Sequence, residues 1–116
     1  MWFSDNIPIY IQIADNIKEQ IVSGKINEGD KLLSVREFSM LYEVTPLTVQ
    51  RATEILERDG IIYLKKGIGS FAAEGACSRL KKTMTEKTAG EYIQRMKNMG
   101  FSEKQIIDYI KKGLEK

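Results

Sequence analysis

The chain has 116 residues, 42% hydrophobic and 29% charged, which is ordinary for a folded globular protein and argues against wholesale disorder. That length holds one compact domain with an appendage rather than two full cores. With no His and a single Cys, Cys77, the chain lacks the residues for a built-in zinc site, a His-based triad or an internal disulfide, so neither an enzyme nor a cofactor is expected.

No apolar run approaches the roughly eighteen residues that span a bilayer. The opening MWFSDNIPIY has neither the basic start nor the small-residue cleavage site of a signal peptide, and the expectation is a cytoplasmic protein with no membrane partner. The net charge of +2 is unevenly spread. Residues 1–64 carry six Lys/Arg against ten Asp/Glu, whereas residues 65–116 carry twelve against six. A basic patch is a matter of placement, so these totals neither make nor exclude a nucleic-acid binder.

A first helix is predicted to open near Pro8, with Ser4, Asp5 and Asn6 supplying capping chemistry and Pro suiting a first turn. Ile9, Ile13, Ile17 and Ile21 then recur every four residues, joined by Tyr10 and Ala14, as one apolar stripe. Gly24 ends that helix and Asn27-Glu28-Gly29-Asp30 reads as a turn. Ser34-Val35-Arg36-Glu37 has the form of a capping box for a short second helix that buries Val35, Phe38 and either Leu41 or Tyr42.

Glu43-Val44 makes a tight turn, and Thr45-Pro46 starts a third helix with a cap residue and a first-position proline. Its inward face is Val49, Ala52, Ile55 or Thr53, and Leu56, and Gly60 ends it. Two helices joined by so short a turn, the second well capped, outline a helix-turn-helix. Ile61 to Leu64 and Ile68 to Ala72 read as strands around the basic turn Lys65-Lys66-Gly67, a hairpin placed where a wing would be.

From about Ala76 the pattern is helical again, with Leu80, Met84, Thr88, Tyr92 and Met96 stepping by four. Gly90 inside that run predicts a kink or a close helix contact. Gly100 breaks the helix, and Ser102 with Gln105 forms a second capping box before Ile106, Ile107, Tyr109, Ile110 and Leu114. Met99-Gly100-Phe101 is similar to a loop of ubiquitin-associated domains, but those are three-helix bundles and only two helices are available here. The fold class expected is mainly α with a small β-hairpin: a winged helix-turn-helix over residues 1–74 and a two-helix tail over 75–116.

The run from Ile21 to Ala72 resembles the DNA-binding domain of the GntR family of bacterial regulators. IVSGKINEGDKLLSVREFSMLYEV and TPLTVQRATEILERDGIIYLKKGIGSFA carry Gly-Asp-x-Leu, Ser-x-Arg-Glu, Val-x-x-x-Thr-Val, Leu-x-x-x-Gly-Ile and Gly-x-Gly-x-Phe in the family's order. The short tail and the Thr45-Pro46-x-Thr48-Val49 start resemble the YtrA-like subfamily. Two positions depart from the family pattern: Leu33 stands where Pro is usual, and Pro46 replaces an Arg common in other subfamilies. The resemblance implies a transcriptional regulator acting on double-stranded DNA, a homodimeric repressor at an inverted-repeat operator, with control of a transporter operon.

A recognition helix offers its N-terminal side chains to base edges. Thr45, Leu47, Thr48, Gln50 and Arg51 occupy that position; Gln50 can pair bidentately with adenine, and Leu47 can touch a thymine methyl. The Thr45 and Thr48 hydroxyls and the first-turn N–H groups suit phosphate oxygens. Arg36, also implied by the resemblance, suits a phosphate or groove contact. Lys65, Lys66 and Gly67 form the wing tip, which family members bring to the minor groove or its rim. The bland readings are a salt bridge from Arg51 to Glu54 or Asp59, simple capping by Thr45 and a solvated lysine turn.

The tail carries more apolar residues than two helices bury against each other: Leu80, Met84, Tyr92, Ile93, Met96, Phe101, Ile107, Ile110 and Leu114. Packing against a symmetry mate is the economical use of that surface; docking on the chain's own first domain is the alternative. The basic run Arg79-Leu80-Lys81-Lys82 is either a solvated face or an added attraction for DNA. A winged-helix protein-interaction module is the competing function, favoured by the acidic first half and opposed by Arg36, Thr48, Gln50 and the lysine tip. Forty tail residues leave little room for an enclosed ligand pocket, and no small-molecule effector is identified.

Overall fold

The computed structural model describes residues 3–115. Five helices and one hairpin follow in the order α1 (Ile9–Val22), α2 (Val35–Tyr42), α3 (Pro46–Arg58), β1 (Ile62–Lys65), β2 (Gly69–Ala72), α4 (Ala76–Asn98) and α5 (Glu103–Leu114). The chain divides into two compact units within α4, one up to Lys81 and the other from Lys82. The first unit therefore extends past the boundary expected at residue 74. Ala76 is fully buried, and the Cys77 thiol lies 4.0 Å from the Val22 carbonyl oxygen.

In the first unit α3 packs against both α1 and α2. The four-residue spacing of α1 puts Ile13, Ile17 and Ile21 in the core beside Ala14, where they meet Phe38 of α2 and the Val49, Ala52 and Leu56 face of α3. Each large side chain so buried contributes about 1.5–3 kcal/mol relative to exposure. Ile9, expected on the same stripe, is 40% exposed because it lies on the first turn, beyond the reach of that core. Tyr42 rather than Leu41 is the inward residue of α2. Its hydroxyl donates to Asn16 Oδ1 at 2.7 Å and accepts from Gln20 Nε2 at 3.3 Å, tying α2 to α1. Burial pushes the Tyr42 phenol pKa upward, against the smaller effect of the Gln20 bond.

The helix boundaries follow local chemistry. Pro8 is the residue before α1 and no side chain caps that start, contrary to the expectation for Ser4, Asp5 and Asn6. Instead Gln12 reaches back from inside the helix: its amide donates to the Ser4 and Ile7 carbonyls, and its oxygen accepts the Ser4 N–H. The Ser34–Glu37 and Ser102–Gln105 capping boxes both form. At the end of α3, Ile61 N–H bonds the Leu56 carbonyl and Gly60 N–H bonds the Glu57 carbonyl, a closure that needs the positive φ of Gly60. The same pair of bonds closes α4 at Gly100 and Phe101.

β1 and β2 pair antiparallel with Ile62 opposite Ala72, Tyr63 opposite Phe71, Leu64 opposite Ser70 and Lys65 opposite Gly69. The turn is thus Lys66-Gly67-Ile68, one residue later than expected, with Lys65 in the strand and Ile68 exposed. The segment after the Asn27–Asp30 turn adds to the free edge of β2. Leu32 N–H bonds the Ser70 carbonyl, Ala72 N–H bonds the Asp30 carbonyl, and Lys31 bridges Phe71 between them.

The second unit is the remainder of α4 with α5. α4 runs through Gly90 without a break, and among the described residues nothing lies within 4 Å of where a Cβ of that residue would be, so the alternative of a close helix contact is not met there. Met96 and Ile106 are buried, and Phe101 meets Tyr109 edge-on at 5.4 Å. No helix among the described residues is long and apolar enough to cross a membrane.

Candidate nucleic-acid interface

The third helix presents its N-terminal half outward because its inward residues repeat at three- and four-residue spacing. Val49, Ala52 and Leu56 are sealed in the core, which turns Leu47, Gln50, Arg51 and Glu54 to solvent, while Ile55 and Thr53 are both half-buried. Thr45 caps the helix: its Oγ1 accepts from Thr48 N–H at 3.3 Å and lies 2.9 Å from Thr48 Oγ1. Pro46 has no N–H, so the donors available at the helix start are fewer than first-turn geometry alone suggests. Each threonine hydroxyl oxygen still has acceptor and donor capacity beyond that mutual bond.

Arg51 makes no ion pair with Glu54 or Asp59 among the described residues; Asp59 is held by Arg58 at 3.4 Å. The Arg51 guanidinium instead lies 6.0 Å from the Tyr10 ring centroid of α1. Its charge therefore sits toward the α1 side of the helix, apart from the Leu47–Gln50 edge.

Arg36 is exposed in the first turn of α2, one residue before the capping-box carboxylate of Glu37. Glu37 Oε1 accepts the Ser34 N–H at 2.9 Å, and its own N–H donates to Ser34 Oγ at 3.1 Å. The bonds from the Ser34 backbone and then from its side chain hold the Glu37 carboxyl below its ordinary value of 4.5, with a smaller contribution from the charge of Lys31. That carboxylate is occupied by the cap, so it leaves the adjacent guanidinium free to face outward.

On the hairpin, Lys65 folds back over an aromatic pair. Tyr63 and Phe71 stack at 5.7 Å, and Lys65 Nζ lies 4.8 Å from the Phe71 centroid and 5.9 Å from that of Tyr63. Lys66 and Gly67 are exposed at the tip. All nine residues singled out for DNA thus fall in the first compact unit, on α2, α3 and the hairpin. Lys31, not singled out, shares the sheet face of Lys65; its only sequence signal was a basic residue after a turn.

The basic run at the start of α4 is not uniformly free. Arg79 Nη2 donates to the Gly60 carbonyl at 2.7 Å and Nη1 to the Glu74 carbonyl at 3.3 Å, so this guanidinium stitches α4 to the end of α3.

Of the tail residues, Leu80 and Met96 are already covered within the chain, at 4% and 8% exposed. Met84 and Phe101 are half-buried, while Tyr92, Ile93, Ile107, Ile110 and Leu114 are exposed. Met84, Ala89, Tyr92, Ile93 and Ile110 line an open, mostly apolar groove of about 590 Å³ within the second unit.

This architecture has close counterparts. The chain is 37% identical over 111 residues to the transcriptional regulator YhcF of Bacillus subtilis, covering 94% of this chain and 92% of that protein. It is 36% identical over 107 residues to the transcriptional repressor YtrA of the same organism, covering 90% and 82%. A GntR family transcriptional regulator from Listeria monocytogenes superposes with a TM-score of 0.90 at 38% identity, over 95% of this chain and 98% of that one. Residues 9–71 match the model of the bacterial regulatory proteins of the gntR family. Capped third helix, hairpin wing and sequence agree, and the chain belongs to the GntR family of DNA-binding helix-turn-helix transcriptional regulators.

Proposed function

We propose that the protein is a homodimeric repressor that reads an inverted-repeat operator, with residues 1–74 as the DNA reader and residues 75–116 as the dimerisation tail. The observation that carries the reading is the outward N-terminal edge of α3, where Thr45, Leu47 and Gln50 are exposed beside a half-buried Thr48, in the same unit as the lysine hairpin. Gln50 and Leu47 read base edges, Thr45 and Thr48 meet phosphates, and Arg36 anchors the backbone beside them. Lys65, Lys66 and Gly67 lie along the adjacent groove. Arg51 contributes from the α1 side as a more distant cation.

A single short helix reads few base pairs, so two copies on two half-sites supply the specificity. The exposed apolar side chains of the second unit support the pairing, since Tyr92, Ile93, Ile107 and Ile110 leave more surface uncovered than one copy uses. The repressor reading is supported by the relative YtrA, which is a repressor.

Selection of bound sites from random duplex DNA tests the whole reading. The expected product is a two-fold symmetric sequence whose half-sites lie about 10 base pairs apart or a multiple of that. Absence of any enriched sequence overturns DNA reading; an enriched single half-site overturns the dimer.

A further inference from the structure

We infer that Lys31 is a third cation of the wing, carried across the sheet through the gap left by Gly69, and that it seats a phosphate of the DNA backbone beside the hairpin. The inference rests on the DNA-binding reading above and adds a contact to it.

The geometry begins with the edge of β2. Lys31 and Phe71 face each other as a bridged pair between the Leu32–Ser70 and Ala72–Asp30 hydrogen bonds, so their side chains leave the same face of the sheet. Tyr63 stands opposite Phe71 on the far side, which makes Lys31, Phe71 and Tyr63 one row across three segments. Lys65 and Gly69 form the next row toward the tip, on that same face.

Gly69 has φ +143°, and a Cβ built there would lie 2.9 Å from Lys31 Cε and 3.8 Å from Nζ. The lysine stem therefore occupies the place a side chain would take. It leans from its own row toward the tip, just as Lys65 leans back over Phe71 and Tyr63. Any larger residue at Gly69 closes that route, because the conformation is strained for a side chain and the space is already filled.

Charge and exposure complete the case. Lys31 is exposed, and among the described residues no carboxylate lies within ion-pair distance of it. Of the neighbouring carboxylates, Glu37 closes the α2 cap and feels the charge of Lys31 without pairing with it at contact distance, and Asp30 Oδ2 accepts the Asn27 N–H at 2.8 Å. Of the other cations in this part of the chain, Arg58 pairs with Asp59 and Arg79 is bound to carbonyls. An unpaired ammonium beside Lys65 and Lys66 suits a phosphate, which is a point-charge contact that carries no base information.

The test uses the full chain, a duplex carrying the selected operator and a random duplex of the same length. Affinity is measured over a series of KCl concentrations for the wild type, Lys31→Gln and Lys31→Arg. Lys31→Gln is expected to make the slope of log affinity against log salt shallower by about 0.9, equally on both duplexes, and Lys31→Arg to restore it. A nuclear Overhauser contact between the Lys31 side-chain methylenes and the Gly69 α-protons is expected in the free protein. Equal slopes for wild type and Lys31→Gln overturn the phosphate contact while leaving DNA reading intact, and a missing Overhauser contact overturns the route through Gly69. A wild type that binds neither duplex overturns both readings together.

Discussion

Arg79 donates to the Gly60 carbonyl at 2.7 Å, so the first turns of α4 are locked to the residue that ends the third helix. That carbonyl belongs to the glycine whose N–H closes α3 onto Glu57, and one residue thereby joins two helices. The same guanidinium also reaches the Glu74 carbonyl. Arg79→Met keeps much of the aliphatic stem and removes the donors. The expected loss is about 1 kcal/mol of unfolding free energy, below the usual range for a charged donor because the side chain is exposed. Urea denaturation followed by circular dichroism measures it; an unchanged midpoint would show the bond to be idle in solution.

Glu43 is the one non-glycine among the described residues with positive φ, at 56°, and it sits in the turn between α2 and α3. A left-handed residue with a Cβ costs roughly 1–2 kcal/mol, and a negative charge at a helix C-terminus opposes the dipole. Glu43→Gly relieves both while adding chain entropy to the unfolded state. The net gain expected is about 0.5–1 kcal/mol, read as a higher melting temperature. A lower melting temperature would mean that the glutamate makes an interaction of greater worth than the strain.

The Glu37 cap has a definite pH dependence. Its carboxyl is held low in the folded state by Ser34, so the folded chain binds that proton later than the unfolded chain as acid is added. The stabilisation is present above the ordinary value of 4.5 and is lost as pH falls through the lower folded value. In Glu37→Gln the amide still caps in part but no longer titrates. The stability slope below 4.5 is therefore expected to be shallower in the variant than in the wild type, and the Glu37 side-chain carboxyl carbon, followed by nuclear magnetic resonance, should titrate below the ordinary value. Identical slopes would remove Glu37 from the acid response.

The helices were legible because their signals are local. Ser34 and Glu37, or Thr45 and Pro46, place a helix start using residues within one turn of it. The start of α1 differs from the expectation because Gln12, inside the helix, ties back the Ser4–Ile7 segment while no side chain of Ser4, Asp5 or Asn6 caps the helix. Arg51 lying near Tyr10 and Arg79 on Gly60 are contacts between residues distant in the chain, which periodicity does not encode. The pairing of Lys31 with Phe71 was hidden for the same reason: one bridged residue is too short to show strand alternation. The excess of apolar residues in the tail is visible in the sequence, but which of them the chain keeps for itself, Leu80 and Met96, depends on packing.

The division of labour on α2 and α3 gives the last prediction. Gln50 and Arg36 are both exposed, yet they stand on different elements with different chemistry: an amide on the outward edge of the third helix and a guanidinium at the start of the second. An amide that pairs with one adenine loses discrimination when removed, so Gln50→Ala is expected to relax preference at one position of each half-site by about 1–3 kcal/mol with little change on random DNA. A guanidinium on a phosphate loses affinity everywhere, so Arg36→Ala is expected to weaken operator and random duplex alike and to lower the salt slope by about 0.9. Fluorescence anisotropy with the operator, its single-base variants and a random duplex separates the two patterns. If Gln50→Ala weakens all duplexes equally, the base contact belongs to Leu47 or Thr48 instead, and α3 docks in a different rotation.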